Sequence, residues 1–425
     1  MNARARIAAA TVALLTLGAC GGPAPTSATT DTGKLEVVSW WTSGSEATAL
    51  NTLLSTFTRQ HPGVATVNGA VAGGAGSQAV VTLARRLQRD DPPDVWQTFA
   101  GKSVQGYAER GSVRALGSLY GGLRATMQPT ILAAMTRDGK PYGVPTGAHR
   151  GNVLWYDTAV LAKAGVAAPG PDYTLAAFLA DLRKVKDSGA TALCLGGRDP
   201  FTTVELFENT LLSSIGTAGW RDMAADRLDW RGAPVRSALS SFGDVLASAD
   251  PQAGELTWDA AARKLATGGC AFMSVNDSAY GELLAAGARE GTDFGAVPFP
   301  GTGGSFLAVV DVFVAATGAD NAKNALAFLG GIGDPATQVA FSRAKGSVPV
   351  LRDVDVSSLP AYQQQSSRAL WSAPVLLSVA HGEAMSPAFQ EGFYDAVSTY
   401  VRTRDPAAFA DTLGDAVAND RIPQR

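Results

Sequence analysis

The chain has 425 residues, 46% of them hydrophobic and 17% charged, with a formal net charge of −3. That balance, without a block of lysine and arginine, excludes the electrostatic footprint of a nucleic-acid binder, so no nucleic-acid partner is expected. Three histidines and three cysteines in no ligand-like spacing predict neither a metal site nor a cofactor.

At the N-terminus, Arg4 and Arg6 precede an apolar run from Ala8 to Leu17 that is too short to span a bilayer. The run ends in Leu17-Gly18-Ala19-Cys20, which resembles the lipobox of bacterial lipoproteins. That resemblance makes 1–19 a signal peptide and Cys20 the lipidated mature N-terminus, acylated (palmitate) through its sulfur. Two or three acyl chains, at about 0.8 kcal/mol per buried CH₂, anchor far more firmly than one. A secretory signal with a chance cysteine is the alternative, disfavoured because the motif sits where the apolar run stops. Residues 20–33 then form a tether of Pro, Thr, Ser, Ala and Gly with too little apolar surface to fold. The expected location is the cell envelope, extracytoplasmic and lipid-anchored to the membrane.

From Lys34 onward about 390 residues remain, more than one hydrophobic core usually organises, so two domains are expected. Leu35 to Trp41 reads as a strand, Glu46 to His61 as a helix with Leu50, Leu53, Leu54 and Phe57 on one face, and Ala65 to Val71 as a second strand. Gln78 to Leu87 reads as a helix, Asp90-Asp91-Pro92-Pro93-Asp94 as a break, and Val95 to Phe99 as a strand. Helix then strand recurs at Ala176 to Ser188 with Ala192 to Leu195, and at Ala260 to Thr267 with Cys270 to Val275. Such alternation predicts α/β lobes with mainly parallel sheets, helices on both faces and ligand sites beyond the strand C-termini. Cys194 and Cys270 lie in short apolar runs and either pair in an oxidising compartment or stay as buried thiols.

The segments Leu35-Glu36-Val37-Val38-Ser39-Trp40-Trp41, His61-Pro62-Gly63-Val64 and Asp91-Pro92-Pro93-Asp94-Val95-Trp96-Gln97 occur in order. Tyr142-Gly143-Val144-Pro145 leads into His149-Arg150-Gly151-Asn152-Val153-Leu154-Trp155-Tyr156, and Val379-Ala380-His381-Gly382 lies near the end. Together these resemble the extracellular solute-binding lipoproteins of carbohydrate ABC importers (family 1), most closely the glucose- and mannose-binding branch. The resemblance implies the two-lobe periplasmic-binding-protein fold (type II) with a ligand cleft between the lobes. It places 34–145 plus 308–345 in an N-terminal lobe and 149–304 plus 350–425 in a C-terminal lobe. It also implies a monomeric receptor that captures a glucose- or mannose-like hexose or small saccharide and hands it to membrane permease subunits served by a cytoplasmic ATPase, with no enzymatic activity.

A sugar presents hydroxyls at its edge and C–H groups on its faces, so its site needs carboxylates, amides and cations around aromatic plates. The resemblance places ligand contacts at Glu46, Gln97, Asp311, Lys345 and His381. Trp41 and Trp258 are candidates for stacking, and Asn152 and Asp277 are chosen by position after a crossover and at a strand end. From the residues alone, Glu46 equally complements a helix N-terminus, Lys345 a solvated loop and His381 an interior position. Because Trp40 and Trp41 are adjacent in a strand, at least one belongs in the core. Asp311 stands out, because a charge within the apolar run Leu307 to Ala316 needs a partner.

Two departures from the branch bear on specificity. Phe99 stands where the branch has histidine, and Ser278 follows Asp277 where a tryptophan is usual. Both changes put the exact sugar in question and point to another epimer, weaker binding or a roomier pocket that takes a disaccharide. A surface glycoside hydrolase using Glu46 and Asp311 is the rival reading, and a structural adhesin another. Neither gains support from a Gly-x-Ser-x-Gly elbow or a metal-ligand spacing, and Gly73-Gly74-Ala75-Gly76 lacks the lysine of a phosphate loop and reads as a turn facing the cleft.

Overall fold

The computed structural model describes residues 33–72 and 77–420. The expected signal peptide, Cys20, the tether up to 32, the Gly73-Gly74-Ala75-Gly76 turn and residues 421–425 lie outside the described residues.

The strands in chain order are β1 (Lys34–Val38), β2 (Ala65–Asn68), β3 (Val95–Phe99), a small hairpin of β4 (Thr136–Arg137) and β5 (Lys140–Pro141), β6 (Val144–Arg150), β7 (Val153–Asp157), β8 (Leu193–Cys194), β9 (Phe272–Met273), β10 (Phe294–Pro298), β11 (Phe306–Ala315) and β12 (Val375–Leu377). Six of them form the first sheet in the order β12-β11-β3-β1-β2, with β6 also on β11. Four form the second, in the order β10-β7-β9-β8. All ten residues of β11 are buried, which is why a continuous apolar run rather than an alternating one encodes it.

The helix Gly44–Gln60 follows β1 as its periodicity requires, burying Leu50, Leu53, Leu54 and Phe57 with acidic Glu46 in the first turn. Its partner strand is shorter than expected, stopping at Val38 rather than Trp41. The cause is local: the Ser39 hydroxyl accepts the Trp41 amide at 2.9 Å, which turns the chain out of the sheet.

Both sheets are mixed: the expected parallel pairing holds for three of the five pairings in the first and for one of the three in the second. In the first, β1 runs parallel to β2 and β3, and β11 to β12, but β11 is antiparallel to both β3 and β6. In the second, only β8 and β9 are parallel, while β7 is antiparallel to β9 and β10. The antiparallel members adjoin the segments that carry the chain between sheets: β6 passes into β7 through Gly151-Asn152, and β10 passes into β11 through 299–305.

Asn152 joins these two crossing segments. Its amide donates to the Thr302 and Ser305 carbonyls at 3.2 and 3.0 Å, and its oxygen accepts the Leu307 amide at 2.9 Å.

Each sheet has its own core. Trp41, Phe57, Trp96, Phe313, Phe328 and Phe341 pack around the first sheet. Phe207, Trp220, Phe242, Phe393 and Phe409 form a second cluster, and Trp155, Tyr280, Phe294 and Tyr362 a third against β7. The stretch expected in the C-terminal lobe after 350 is divided: Val350, Leu351 and Leu370 join the first core, whereas Phe389, Phe393, Phe409 and Leu413 join the second. Cys194 and Cys270 are disulfide-bonded with Cα atoms 5.8 Å apart, tying β8 to the residue that leads into β9.

Candidate functional site

Between the sheets lies a narrow cavity with about 30 Å³ of free room, enough for one or two waters. The elements of the first sheet supply Trp40, Glu46, Phe99, His149, Val309, Asp311 and Lys345 to its wall. Phe201, Trp258, Asn276, Ser278 and His381 close it from the other side.

The charged edge is a connected network. Lys345, buried at the end of the helix Pro335–Lys345, donates to Glu46 Oε1 and to Ser278 Oγ, each at 2.9 Å. Burial pushes the Lys345 ammonium toward neutrality, but Glu46 and Asp311 outweigh it and hold its pKa above the ordinary value. Burial also lifts the Glu46 carboxyl above the usual range, with Lys345 opposing the rise.

Asp311 sits mid-strand on β11, where its Oδ1 accepts the Gln97 amide at 2.8 Å. His149 Nε2 lies 3.4 Å from Asp311 Oδ2, at ion-pair distance but without the alignment of a hydrogen bond. Burial would raise the Asp311 pKa, yet His149 and Lys345 hold it below the ordinary carboxylate value. The buried charge in the apolar run thus has its partners, the Lys345 ammonium, the His149 imidazole and the Gln97 amide.

Of the residues the sequence nominated, Glu46, Trp258, Asp311, Lys345 and His381 line the void together. Gln97 stands one layer behind, positioning Asp311 and accepting from the Trp40 amide at 3.4 Å. Asp277 is also behind the wall, fully buried and 2.5 Å from His149 Nδ1. Trp41 is not a wall residue: only 1% exposed, it packs on Phe313 and Phe341 in the first core, with Lys345 Nζ 5.4 Å from its ring. Trp40 takes the cleft side instead, because the turn at Ser39 separates the two indoles. Asn152 does not line the void either, since both ends of its amide are committed to the crossing segments.

Sequence reasoning missed His149, Phe201 and Asn276 as wall residues, and with them a supporting layer. Glu205 and Glu208, one turn apart on the helix Pro200–Ala224, are each 1% exposed. Glu205 accepts the Asn276 backbone and side-chain amides at 3.1 and 2.7 Å. Glu208 accepts the Val379 and Ala380 amides at 2.5 and 3.0 Å and the Ser378 hydroxyl at 2.9 Å. One helix therefore fixes the two loops that present Asn276 and His381. Burial raises the Glu205 pKa to about 8 and that of Glu208 to about 7. Burial has the opposite effect on His381, which it lowers to about 3, so the imidazole facing the void is neutral. Charges inside Val204-Glu205-Leu206-Phe207-Glu208 were the same kind of signal that singled out Asp311.

The lobes touch beside this site. Glu282 Oε1 accepts the backbone amide and hydroxyl of Ser45, at the start of the Gly44–Gln60 helix, at 2.8 and 2.9 Å. At Gly101, with φ +64°, an added Cβ would fall 2.1 Å from the Glu383 carbonyl oxygen, so the close approach of these segments requires glycine there.

The model of the bacterial extracellular solute-binding protein family matches residues 52–366. The chain belongs to that family. An uncharacterised ABC transporter extracellular-binding protein of Pyrococcus horikoshii is 26% identical to this solute-binding protein, over 99% of this chain and 96% of the relative. The xylose/arabinose-binding protein XacG of Haloferax volcanii is 28% identical, over 83% and 78%. Among solved structures, the bacterial solute receptor AcbH, described as preferring β-D-galactopyranose, superimposes with a TM-score of 0.80 at 17% identity, covering 92% of this chain and 99% of that one. That likeness establishes the two-lobe fold. Among the described residues no helix of this solute-binding protein is long and apolar enough to cross a membrane.

Proposed function

We propose that this solute-binding protein is the sugar-capturing subunit of an ABC importer, taking a glucose- or mannose-like hexose or a small saccharide and delivering it to membrane permease subunits. The observation that carries this reading is the wall itself: Glu46, Asp311, Lys345, His149 and Asn276 offer acceptors and donors around an edge, and Trp40, Phe99, Phe201 and Trp258 offer apolar faces. A carboxylate accepts from adjacent hydroxyls with charge-assisted bonds, while aromatic plates cover C–H faces. Relatives named for sugars support the choice of ligand class.

The protein acts by binding, not by catalysis. Glu46 is committed to Lys345, and Asp311 to Gln97 and His149, so neither carboxylate is placed as an independent acid or nucleophile. Release follows from separation of two lobes, 34–150 plus 306–351 and Leu370 against 153–298 plus the stretch from Phe389, about the stapled crossings at Asn152. A ligand that touches both lobes favours the closed arrangement, which docks on the permease. The receptor works as a monomer, exported by its signal peptide and held at the membrane through lipidated Cys20.

Thermal unfolding of the chain from residue 21 against glucose, mannose, galactose, xylose, maltose and trehalose tests the reading. A sugar at about 100 times its Kd adds about 2.7 kcal/mol to stability. No shift with any sugar, or turnover of a chromogenic glycoside, overturns it. Membrane release of a Cys20→Ser variant in cells tests the anchor.

A further inference from the structure

The helix Ser278–Ala285 of the second lobe meets the first lobe through two side chains four residues apart, hence on one face. Ser278, at its start, lines the cavity and accepts from Lys345 Nζ at 2.9 Å. Glu282, one turn further along, is buried behind the cavity wall and reaches the first turn of the helix Gly44–Gln60.

There it supplies what that helix lacks. The first amides of a helix have no partner within it, and the N-cap residue Ser43 makes no side-chain bond to them. Glu282 Oε1 accepts both the amide and the hydroxyl of Ser45, so the cap comes from the other lobe. A carboxylate at that end is favoured twice, by charge-assisted hydrogen bonds and by the positive end of the helix dipole. Arg263 Nη1 lies 3.1 Å from the second Glu282 oxygen while its Nη2 pairs with Asp259 at 2.7 Å, which orients Glu282 from its own lobe. The two helices approach too closely for a side chain at Gly281, where an added Cβ would fall 2.6 Å from Ser45 Cβ and 3.2 Å from the Ala344 carbonyl oxygen, both in the first lobe.

The residue after Ser45 is Glu46, the carboxylate that lines the cavity and accepts from Lys345. We infer that Glu282 is a cross-lobe positioning residue: by capping the helix that bears Glu46, it sets that carboxylate against Lys345 when the lobes are together, and so ties retention of the ligand to closure. This role rests on the sugar-binding reading and deepens it, because a residue outside the cavity then governs how long the sugar stays. Separation of the lobes breaks both Ser45 bonds at once. The Ser45 amide, whose acceptor belongs to the other lobe, is therefore a reporter of opening.

Stopped-flow kinetics and amide hydrogen exchange on the chain from residue 21 test the role, with the tightest binder among glucose, mannose, galactose, xylose, maltose and trehalose. Glu282→Ala is expected to raise the sugar's dissociation rate about fivefold or more and to leave its association rate within about twofold. It is also expected to speed exchange of the Ser45 amide about tenfold. Glu282→Gln, which keeps an acceptor but not the charge, falls between wild type and alanine. Gly281→Ala leaves Glu282 in place and drives a methyl group against Ser45; alanine suits a helix better than glycine, so the lobe keeps its fold while the dissociation rate rises. An unchanged dissociation rate in both Glu282→Ala and Gly281→Ala, or a fall in association rate alone, overturns the role and leaves the sugar-binding reading in place. Binding of no sugar by the wild-type chain overturns that reading, and Ser45 exchange then decides by itself: faster exchange in Glu282→Ala upholds the cross-lobe cap, and unchanged exchange overturns it.

Discussion

His149 and Asp277 meet across the two lobes, ring Nδ1 2.5 Å from carboxylate Oδ1, with both side chains buried. The histidine comes from β6 in the first sheet and the aspartate from the turn after β9 in the second. The other Asp277 oxygen accepts the Tyr362 hydroxyl at 3.2 Å, so the carboxylate is held from two directions. Burial and Lys345 depress the His149 pKa, but Asp277 and Asp311 outweigh them and leave it above 6.5. A raised folded-state pKa contributes stability that is fully present below about pH 6.5 and is lost as pH rises through the folded value. Asp277→Asn is therefore expected to cost about 3–5 kcal/mol, because it leaves a buried charge without its partner. Urea unfolding at a series of pH values checks this: the loss should be largest below about pH 6.5 and shrink above it, and a pH-independent loss would argue that His149 is neutral.

At the ligand edge, Asp311→Ala is expected to lower sugar affinity by more than the roughly 1.5 kcal/mol of a neutral hydrogen bond, at least tenfold in Kd. The substitution removes a carboxylate and leaves the Gln97 amide without its acceptor. Calorimetry with the tightest sugar of the panel measures it, and unchanged affinity would remove Asp311 from the site.

Glu208 carries the loop that ends in His381. Burial raises its folded-state pKa from 4.5 to about 7, so the folded protein retains a proton that the unfolded chain releases. Stability therefore falls through this group as pH climbs from about 4.5 to about 7. Glu208→Gln keeps an acceptor for the Val379 and Ala380 amides and cannot ionise, so its unfolding free energy is expected to be flatter across that range than that of the wild type. Glu208→Ala, which strands those donors, is expected to lose roughly 2–5 kcal/mol. Parallel slopes for wild type and Glu208→Gln would count against a proton at this position.

Asn152→Ala separates a structural from a ligand role. Loss of the bonds to Thr302, Ser305 and Leu307 is expected to cost about 1–3 kcal/mol in denaturant unfolding. A variant with full stability but lost sugar affinity would instead make Asn152 a ligand contact.

The Cys194–Cys270 bond spans a sequence separation of 76 residues. Replacing both with serine is expected to lower stability by about 2–4 kcal/mol, chiefly by freeing the unfolded chain. Comparison of unfolding midpoints for the double variant and the oxidised protein checks it.

Periodicity located the helix over Gly44–Gln60 and the strand Val95–Phe99, because each buries a local pattern of side chains whatever lies across from it. The direction of the strands beside the crossings was not legible, since it depends on which strands come to lie side by side. The split of the chain beyond 350 between two cores was likewise hidden: Leu370 and Phe393 are equally apolar in sequence, and only the surfaces they meet distinguish them.

The site divides the same way. Asp311 was visible because an ionised group in an apolar run demands a partner, and the sequence by itself determined that such a partner must exist. Which groups answer it was decided by tertiary structure, which brings Gln97 and His149 within 3.4 Å of the carboxylate and adds the field of the Lys345 ammonium. The choice between the adjacent indoles, Trp40 for the cleft and Trp41 for the core, fell to one Ser39 hydroxyl bond that redirects the chain. Burial is a local property that composition encodes, whereas a cleft is a relation between distant segments, and that relation exists only once the chain has folded.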